Sequence, residues 1–384
     1  MKHHISRKRT LGRPPTRRSG IVEELRGRII EGEWKPGAQI PTLRDLCKQY
    51  EADFSTMQQA VGQLGDEGFV EARRSRGVFV ALSLPHRERY AILSTPVDEG
   101  TTANKFVLAL NRAAGELQQE KVGQFEIWNT MHPHGEGESF ERLTQELKEN
   151  RIAGIILRGS YQLVSLYGPL AERHGVPIIA LGFPLVENAE VRNIGYTWLD
   201  FRDFFRKGLD RLKEQGCRRV GCMTIPGVLP YLAQWGPEDL IRECESRGMH
   251  MPSYWVQHAA IWGEDYVRRH MQLWMSLPKD QRPDGLIIAD DNIVEGATKG
   301  IIDAQVHVPQ DLKIIAHSNF QSPARSVTPV TWLGFDEKEL LLGAVEYLKA
   351  ARDGAEHSGH TPIPAHFEED WRLKNERTSR FPSP

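Results

Sequence analysis

Asp290 and Asp291 follow the apolar run Gly285 to Ala289, which puts two carboxylates at the carboxyl end of a predicted strand. Paired acids serve general acid and base catalysis. In the crevice outside the strand ends of an open α/β sheet they also accept hydrogen bonds from the vicinal hydroxyls of a ligand. Asp291 can equally cap the helix starting near Val294, and both readings stand at this stage. Catalysis has little else behind it: there is no G-x-S-x-G elbow, Walker A motif, H-E-x-x-H helix or G-x-G-x-x-G fingerprint. No enzyme, cofactor or metal centre is expected. His132 and His134, near Glu136 and Glu138, read as part of a solvated Gly-rich loop.

A second chemistry lies near the N-terminus. Arg44 opens one predicted helix, Ser55, Thr56, Gln58 and Gln59 lie on the next, and Arg73, Arg74 and Arg76 precede Gly77. Glutamine amides can read adenine, and arginines grip phosphates or guanine. Residues 1–85 hold 15 Lys and Arg against 10 Asp and Glu, a net +5 that leaves −7 on the rest of a chain of net −2. A basic module on an acidic body suits a nucleic-acid binder with an appended second function.

Periodicity supplies the elements that must hold these groups. Residues 1–20, with seven Lys and Arg and no acid, read as a basic tail, in which Gly12-Arg13-Pro14 is compatible with minor-groove insertion or with simple solvation. Ile21, Leu25, Ile29 and Ile30 mark a first helix. Thr42 can cap a second and Asp53 a third, with Met57, Ala60, Val61 and Leu64 facing inward. Phe69-Val70 and Val78 to Val80 read as a hairpin, completing a winged helix over 21–81. Residues 82–89, with Pro85, read as a linker. From Tyr90 to Arg372, apolar strands alternate with amphipathic helices, the pattern of parallel sheets covered on both faces, in a length sufficient for two lobes. Residues 373–384 read as a tail. Overall the expected class is α/β, a winged helix-turn-helix followed by a two-lobed sensor.

The segment Ile21 to Val80 resembles the GntR-type winged helix, through G-x-W-x-P-G-x-x-I-P-T-L-R-x-L (Gly32 to Leu46), A-V-x-x-L-x-x-E-G-F-V (Ala60 to Val70) and G-V-F-V (Gly77 to Val80). Where that family opens its recognition helix with Ser-Arg-x-Thr, this chain has Asp53, Phe54 and Thr56, and Gln58 replaces a later arginine. The resemblance therefore implies an altered operator, and Phe54 is expected to be a core or interface aromatic. Tyr90 to about Arg372 is similar to the sensor of the lactose and galactose repressor family, which has the periplasmic-binding-protein-like fold. The matches are Asp200 with Gly216 to Gly221, Pro283 to Gly296, and Val308 to Ile315. It implies Asp291 as acceptor of ligand hydroxyls, Trp262 as an aromatic that stacks on a sugar or is ordinary core, and Asp200, Trp235, His317 and Asn319 around the crevice. Two departures stand out: Gly236 falls where the family has a clamping arginine, and His317-Ser318-Asn319 replaces Phe-Asp-Asp.

Together these readings imply a DNA-binding transcription regulator controlled by a small, sugar-like effector, or one whose ligand is not a sugar or has been lost. The resemblance adds a homodimer on double-stranded operator DNA. No apolar run approaches the roughly 18 residues of a membrane span, no signal core follows the basic N-terminus, and Cys47, Cys217, Cys222 and Cys244 read as buried thiols, so a cytoplasmic protein is expected.

Overall fold

The computed structural model describes residues 17–94, 104–128, 131, 135–158, 161–181, 194–225, 235–259, 263–355 and 360–380. Two compact units make up this chain: one contains the residues up to Arg89 with Gln145–Ala153, the other Tyr90–Thr144 and the residues from Gly154 onward.

The first unit holds α1 (Arg17–Ile30), α2 (Leu43–Gln49), α3 (Phe54–Asp66), the antiparallel pair β1 (Val70–Arg73) and β2 (Gly77–Val80), and a short α4 (Pro85–Glu88). Ile21, Val22, Leu25 and Ile29 form one stripe of α1 and pack with Leu46, Met57, Leu64, Phe69 and Val80. Arg26 and Glu67, both buried, pair at 2.6 Å inside this core. The helix starts at Arg17, within the expected tail, because its polar first turn carries none of the apolar spacing that reveals the rest. Leu84 is buried in the same core and His86 stacks on Phe69, so the expected linker is packed structure at this end.

The second unit has two sheets. In chain order its elements are β3 (Arg89–Ser94), α5 (Lys105–Gln119), β4 (Gln124–Trp128), α6 (Glu138–Lys148), β5 (Gly154–Arg158), α7 (Tyr161–Arg173), β6 (Ile178–Leu181), β7 (Ile194–Leu199), α8 (Phe201–Glu214), β8 (Val220–Thr224), α9 (Pro237–Ser246), β9 (Val256–His258), α10 (Glu264–Met275), β10 (Gly285–Ile288), α11 (Val294–Asp303), β11 (Lys313–Asn319), β12 (Thr331–Phe335), α12 (Glu337–Arg352), β13 (His360–Ile363), β14 (His366–Phe367) and α13 (Glu368–Arg380). The N-lobe sheet runs β4-β3-β5-β6-β7-β13 and the C-lobe sheet β9-β8-β10-β11-β12-β14. The strands pair in parallel from β3 through β13 in the first, and in the second everywhere except the antiparallel β12–β14 edge. α13 runs past Arg372 into the expected C-terminal tail, and Trp371, just before that tail, stacks on Phe320 of the C-lobe at 4.7 Å.

Among the described residues the chain crosses between lobes three times: at Asp200 from β7 to α8, at Asp336 from β12 to α12, and between β13 and β14. Asp200 caps α8, accepting from the backbone N–H groups of Arg202 and Asp203, and Asp336 caps α12 in the same way through Lys338 and Glu339. Of the four free cysteines, Cys217, Cys222 and Cys244 are buried, whereas Cys47 is only half-buried. Among the described residues no helix is long and apolar enough to cross a membrane.

Candidate functional site

In the first unit α2 and α3 form the helix-turn-helix. Thr42 caps α2, accepting from the Asp45 N–H, and Asp53 caps α3, accepting from the Thr56 N–H at 2.8 Å. The Thr56 hydroxyl also donates to Asp53 at 2.6 Å, so this predicted DNA contact is engaged in the cap. Both Thr56 bonds hold the Asp53 carboxyl below its usual range. Ser55, Gln58 and Gln59 are exposed in the first turns of α3, where a recognition helix meets base edges, and Arg44 is exposed at the start of α2. Phe54 is 52% exposed, which excludes the core half of the expectation and leaves the interface half. The buried stripe of α3 is Met57, Ala60, Val61 and Leu64, and the first helical position lies off that stripe.

The wing is the β1–β2 hairpin. Arg74 and Arg76 are exposed at its tip, whereas Arg73 is half-buried and lies over the Phe79 ring at 4.5 Å. Gly77 has φ +107°, a left-handed conformation that disfavours side chains, and Gln39 Nε2 donates to the Arg76 carbonyl beside it.

In the second unit a cavity of about 180 Å³ opens where the strand ends of the C-lobe meet the N-lobe. Its wall includes Phe106, Leu199, Phe201, Ile225 and Leu340, with Asn104, Asp290, Asp291, Asn292, His317 and Asn319 as the polar groups. Asp291 is 1% exposed and accepts from Asn319 Nδ2 at 2.7 Å and from Asn292 Nδ2 at 3.2 Å. Burial, reinforced by the charge of Asp290, pushes its carboxyl up to about 7, against a weaker opposing pull from Asn319 and Lys105. Burial also raises Asp290 and the fully buried Glu337.

His317 sits in a cage of Phe201, Phe204 and Phe335, with ring centroids 5.4 to 5.6 Å away, and burial drives its pKa down to about 3. The ring is neutral at physiological pH, and among the described residues neither ring nitrogen has a hydrogen-bond partner; Asn319 Oδ1 and both Glu337 oxygens also lack one there. Leaving a buried polar group unpaired costs on the order of 1 to 3 kcal/mol, so such groups in a cavity wall mark where a ligand or water completes the bonding.

The structure brings Asp291, His317 and Asn319 together as the sequence suggested. It uses Trp235 and Asp200 differently. Trp235 stacks on Phe205 at 5.4 Å within the C-lobe core and is not among the cavity residues. An indole is the largest apolar side chain, and here core packing claims it. Asp200 spends its carboxylate on the α8 cap between two lining residues, Leu199 and Phe201. Trp262, His132 and His134 lie outside the described residues, and among those described no group of three or more His, Cys, Asp or Glu could hold a metal ion. Gly236, at the expected arginine position, starts α9, its N–H donating to Asp239. Sequence reasoning missed Asn104, Phe106, Phe201, Asn292, Leu340 and Glu337. The available signal was their position at strand ends and helix starts, where α/β crevices gather ligand contacts.

An exposed, capped recognition helix with a basic wing, joined to a two-lobed α/β body with a polar crevice, defines a ligand-responsive DNA-binding protein. Residues 17–80 match the bacterial regulatory proteins of the gntR family, and residues 209–367 match the periplasmic binding protein-like domain. The chain thus carries a GntR helix-turn-helix domain at its N-terminus and a periplasmic-binding-protein-like domain after it, and is a DNA-binding transcription regulator. It is 21% identical over 356 residues to the arabinose metabolism transcriptional repressor of Halalkalibacterium halodurans, a span covering 86% of this chain and 90% of that one. Among solved structures, the transcriptional regulator CelR in complex with cellobiose is similar with a TM-score of 0.54 at 17% identity, over 92% of this chain and 98% of that one. A regulatory protein of the LacI family from Chloroflexus aggregans reaches 0.55 at 13% identity, over 74% and 97%. At these identities the two structures establish the fold.

Proposed function

We propose that this protein is a cytoplasmic repressor of sugar metabolism, whose binding to operator DNA is controlled by a small polyhydroxylated effector in the crevice. The observation that carries the reading is the set of unpaired buried groups, His317 and Asn319 Oδ1, beside Asp291 in one cavity. A neutral imidazole offers one donor and one acceptor, the amide oxygen one acceptor, and the carboxylate further acceptors, a set that matches adjacent hydroxyls. The cavity is small against the roughly 300 to 1,000 Å³ of ordinary ligand sites, which favours a single sugar ring over an oligosaccharide. The arabinose repressor similarity over most of both chains points the same way.

The protein acts as a homodimer on a near-palindromic site, because one winged helix spans too few base pairs to select a gene. Gln58 and Gln59 read adenine, and exposed Phe54 takes apolar contact with a thymine methyl. Effector and operator affect each other's affinity reciprocally through two states of the crevice. Calorimetric titration of a monosaccharide panel into the full-length protein, free and bound to operator, tests this. A sugar that binds the free protein and is weakened by operator is the expected result; a crevice that takes no sugar and gains no thermal stability from any of them overturns it.

A further inference from the structure

In each sheet of the second unit the strand order reverses once. In the N-lobe β4 and β5 lie on opposite sides of β3, and in the C-lobe β9 and β10 lie on opposite sides of β8. Such reversal points open the crevice in which α/β sheets bind ligands. The C-lobe point carries Asp290 and Asp291, just after β10, and at the end of β8 the Thr224 hydroxyl, unpaired among the described residues. The N-lobe point carries Ser94 and Arg158, the last residues of β3 and β5, paired in register.

Arg158 is half-buried, and among the described residues it has no hydrogen-bond or ion-pair partner. Burial lowers its pKa with no carboxylate opposing the shift. The cation that offsets Asp290 and Asp291 is Lys105, not Arg158. A guanidinium partly withdrawn from water with no counter-charge favours an anion, and its planar fork suits the paired oxygens of a carboxylate or phosphate. We propose that the effector is an acidic sugar derivative, with its anionic group held by Arg158 at the N-lobe reversal point and its hydroxyls by Asp291, His317 and Asn319 at the C-lobe wall. The arrangement also orients the ligand, since the acidic C-lobe wall repels the anionic end.

This inference rests on the crevice being an effector site, and the experiment separates the two. Full-length protein is titrated calorimetrically with L-arabinose and D-galactose, with D-galacturonate and D-gluconate, and with D-galactose 6-phosphate and D-arabinose 5-phosphate. A carboxylate or phosphate derivative binds at least tenfold tighter than the neutral sugars, and added NaCl weakens it. The better of the two acidic arms identifies the group. Arg158→Met abolishes that preference and Arg158→Lys keeps part of it, with thermal melting of both variants controlling for folding. Neutral sugars that bind as tightly as their acids, or a preference that survives in Arg158→Met, overturn the acidic effector. If Asp291→Asn then weakens a neutral sugar, the effector site stands without it. No binding by any of the six sinks both readings.

Discussion

On α3 the polar groups proposed to face DNA, Ser55, Gln58 and Gln59, stand in water, while the two bonds from Thr56 to Asp53 serve the helix. In the crevice the groups proposed to meet the effector are already buried: Asp291 at 1% exposure, His317 at 3% and Asn319 at 1%. The DNA face therefore meets its desolvation cost only on binding, whereas the crevice carries that cost in the unliganded fold. On the proposed reading, one site is neutral to the stability of its unit, and the other is a standing strain that an effector would relieve.

The largest expected effect asks whether the two units fail separately. Glu67→Ala leaves Arg26 buried without its partner, a loss of about 3 to 5 kcal/mol that should melt the winged helix and abolish operator binding. Calorimetric melting should show the low-temperature part of the transition displaced while sugar binding persists; loss of both together would make the units one cooperative body.

Asp291→Asn sharpens the contrast next. Sugar affinity should fall roughly tenfold or more, since a hydrogen bond to a charged group is worth about 1.5 to 3 kcal/mol. The unliganded protein should move the other way. With its carboxyl pushed from 3.8 to about 7 in the fold, the native state holds a proton that the unfolded chain releases, so Asp291 costs stability as pH rises through that window. The variant should therefore melt higher than wild type at pH 8, with the gain vanishing toward pH 4. His317 acts oppositely: its pKa is lowered from 6.5 to about 3, so its contribution is lost as pH falls across that range. Melting temperatures of both proteins across pH 4 to 8 read these signs directly.

On the DNA side, Gln58→Ala should cost about 1 to 3 kcal/mol at one base pair and relax its specificity without altering melting. An unchanged base-by-base substitution profile would remove Gln58 from direct readout. The smallest effect belongs to Arg76→Ala on the wing tip, which should weaken all sequences alike and reduce the salt slope of binding by about one. A sequence-selective loss there would instead place Arg76 among the base readers.

The same contrast explains what the sequence made legible. The DNA module is built from neighbours: caps at Thr42 and Asp53, the stripe from Met57 to Leu64 and the turn at Gly77 all show in short spacings. The buried strands β3, β5, β6, β8, β10 and β11 announce themselves as apolar runs. β7, reading I-G-Y-T-W-L, and the short β13 and β14 do not, because mixed or brief segments carry no clear period, and Pro169 inside α7 obscures that helix. The crevice joins Phe106, Phe201, Asp291, His317 and Leu340, which are up to more than 200 positions apart, so only chemistry at strand ends hinted at it. Trp235 shows the limit of residue type as a guide, since a stacking platform and a core filler look alike in one dimension.

The three crossings are not independent straps. The Asp200 N–H donates to the Ile363 carbonyl at 2.8 Å, the Ala365 N–H donates to Asp203, and Lys207 reaches the Ala365 carbonyl, so the first and third are laced together at the start of α8. The second is pinned apart from them, Asp336 accepting from Gln321 and Trp371. In mechanical terms this is a door hung on two hinge pins, one double and one single. A plate held at two points resists shear and twist, and the line through the pins becomes the axis about which it swings.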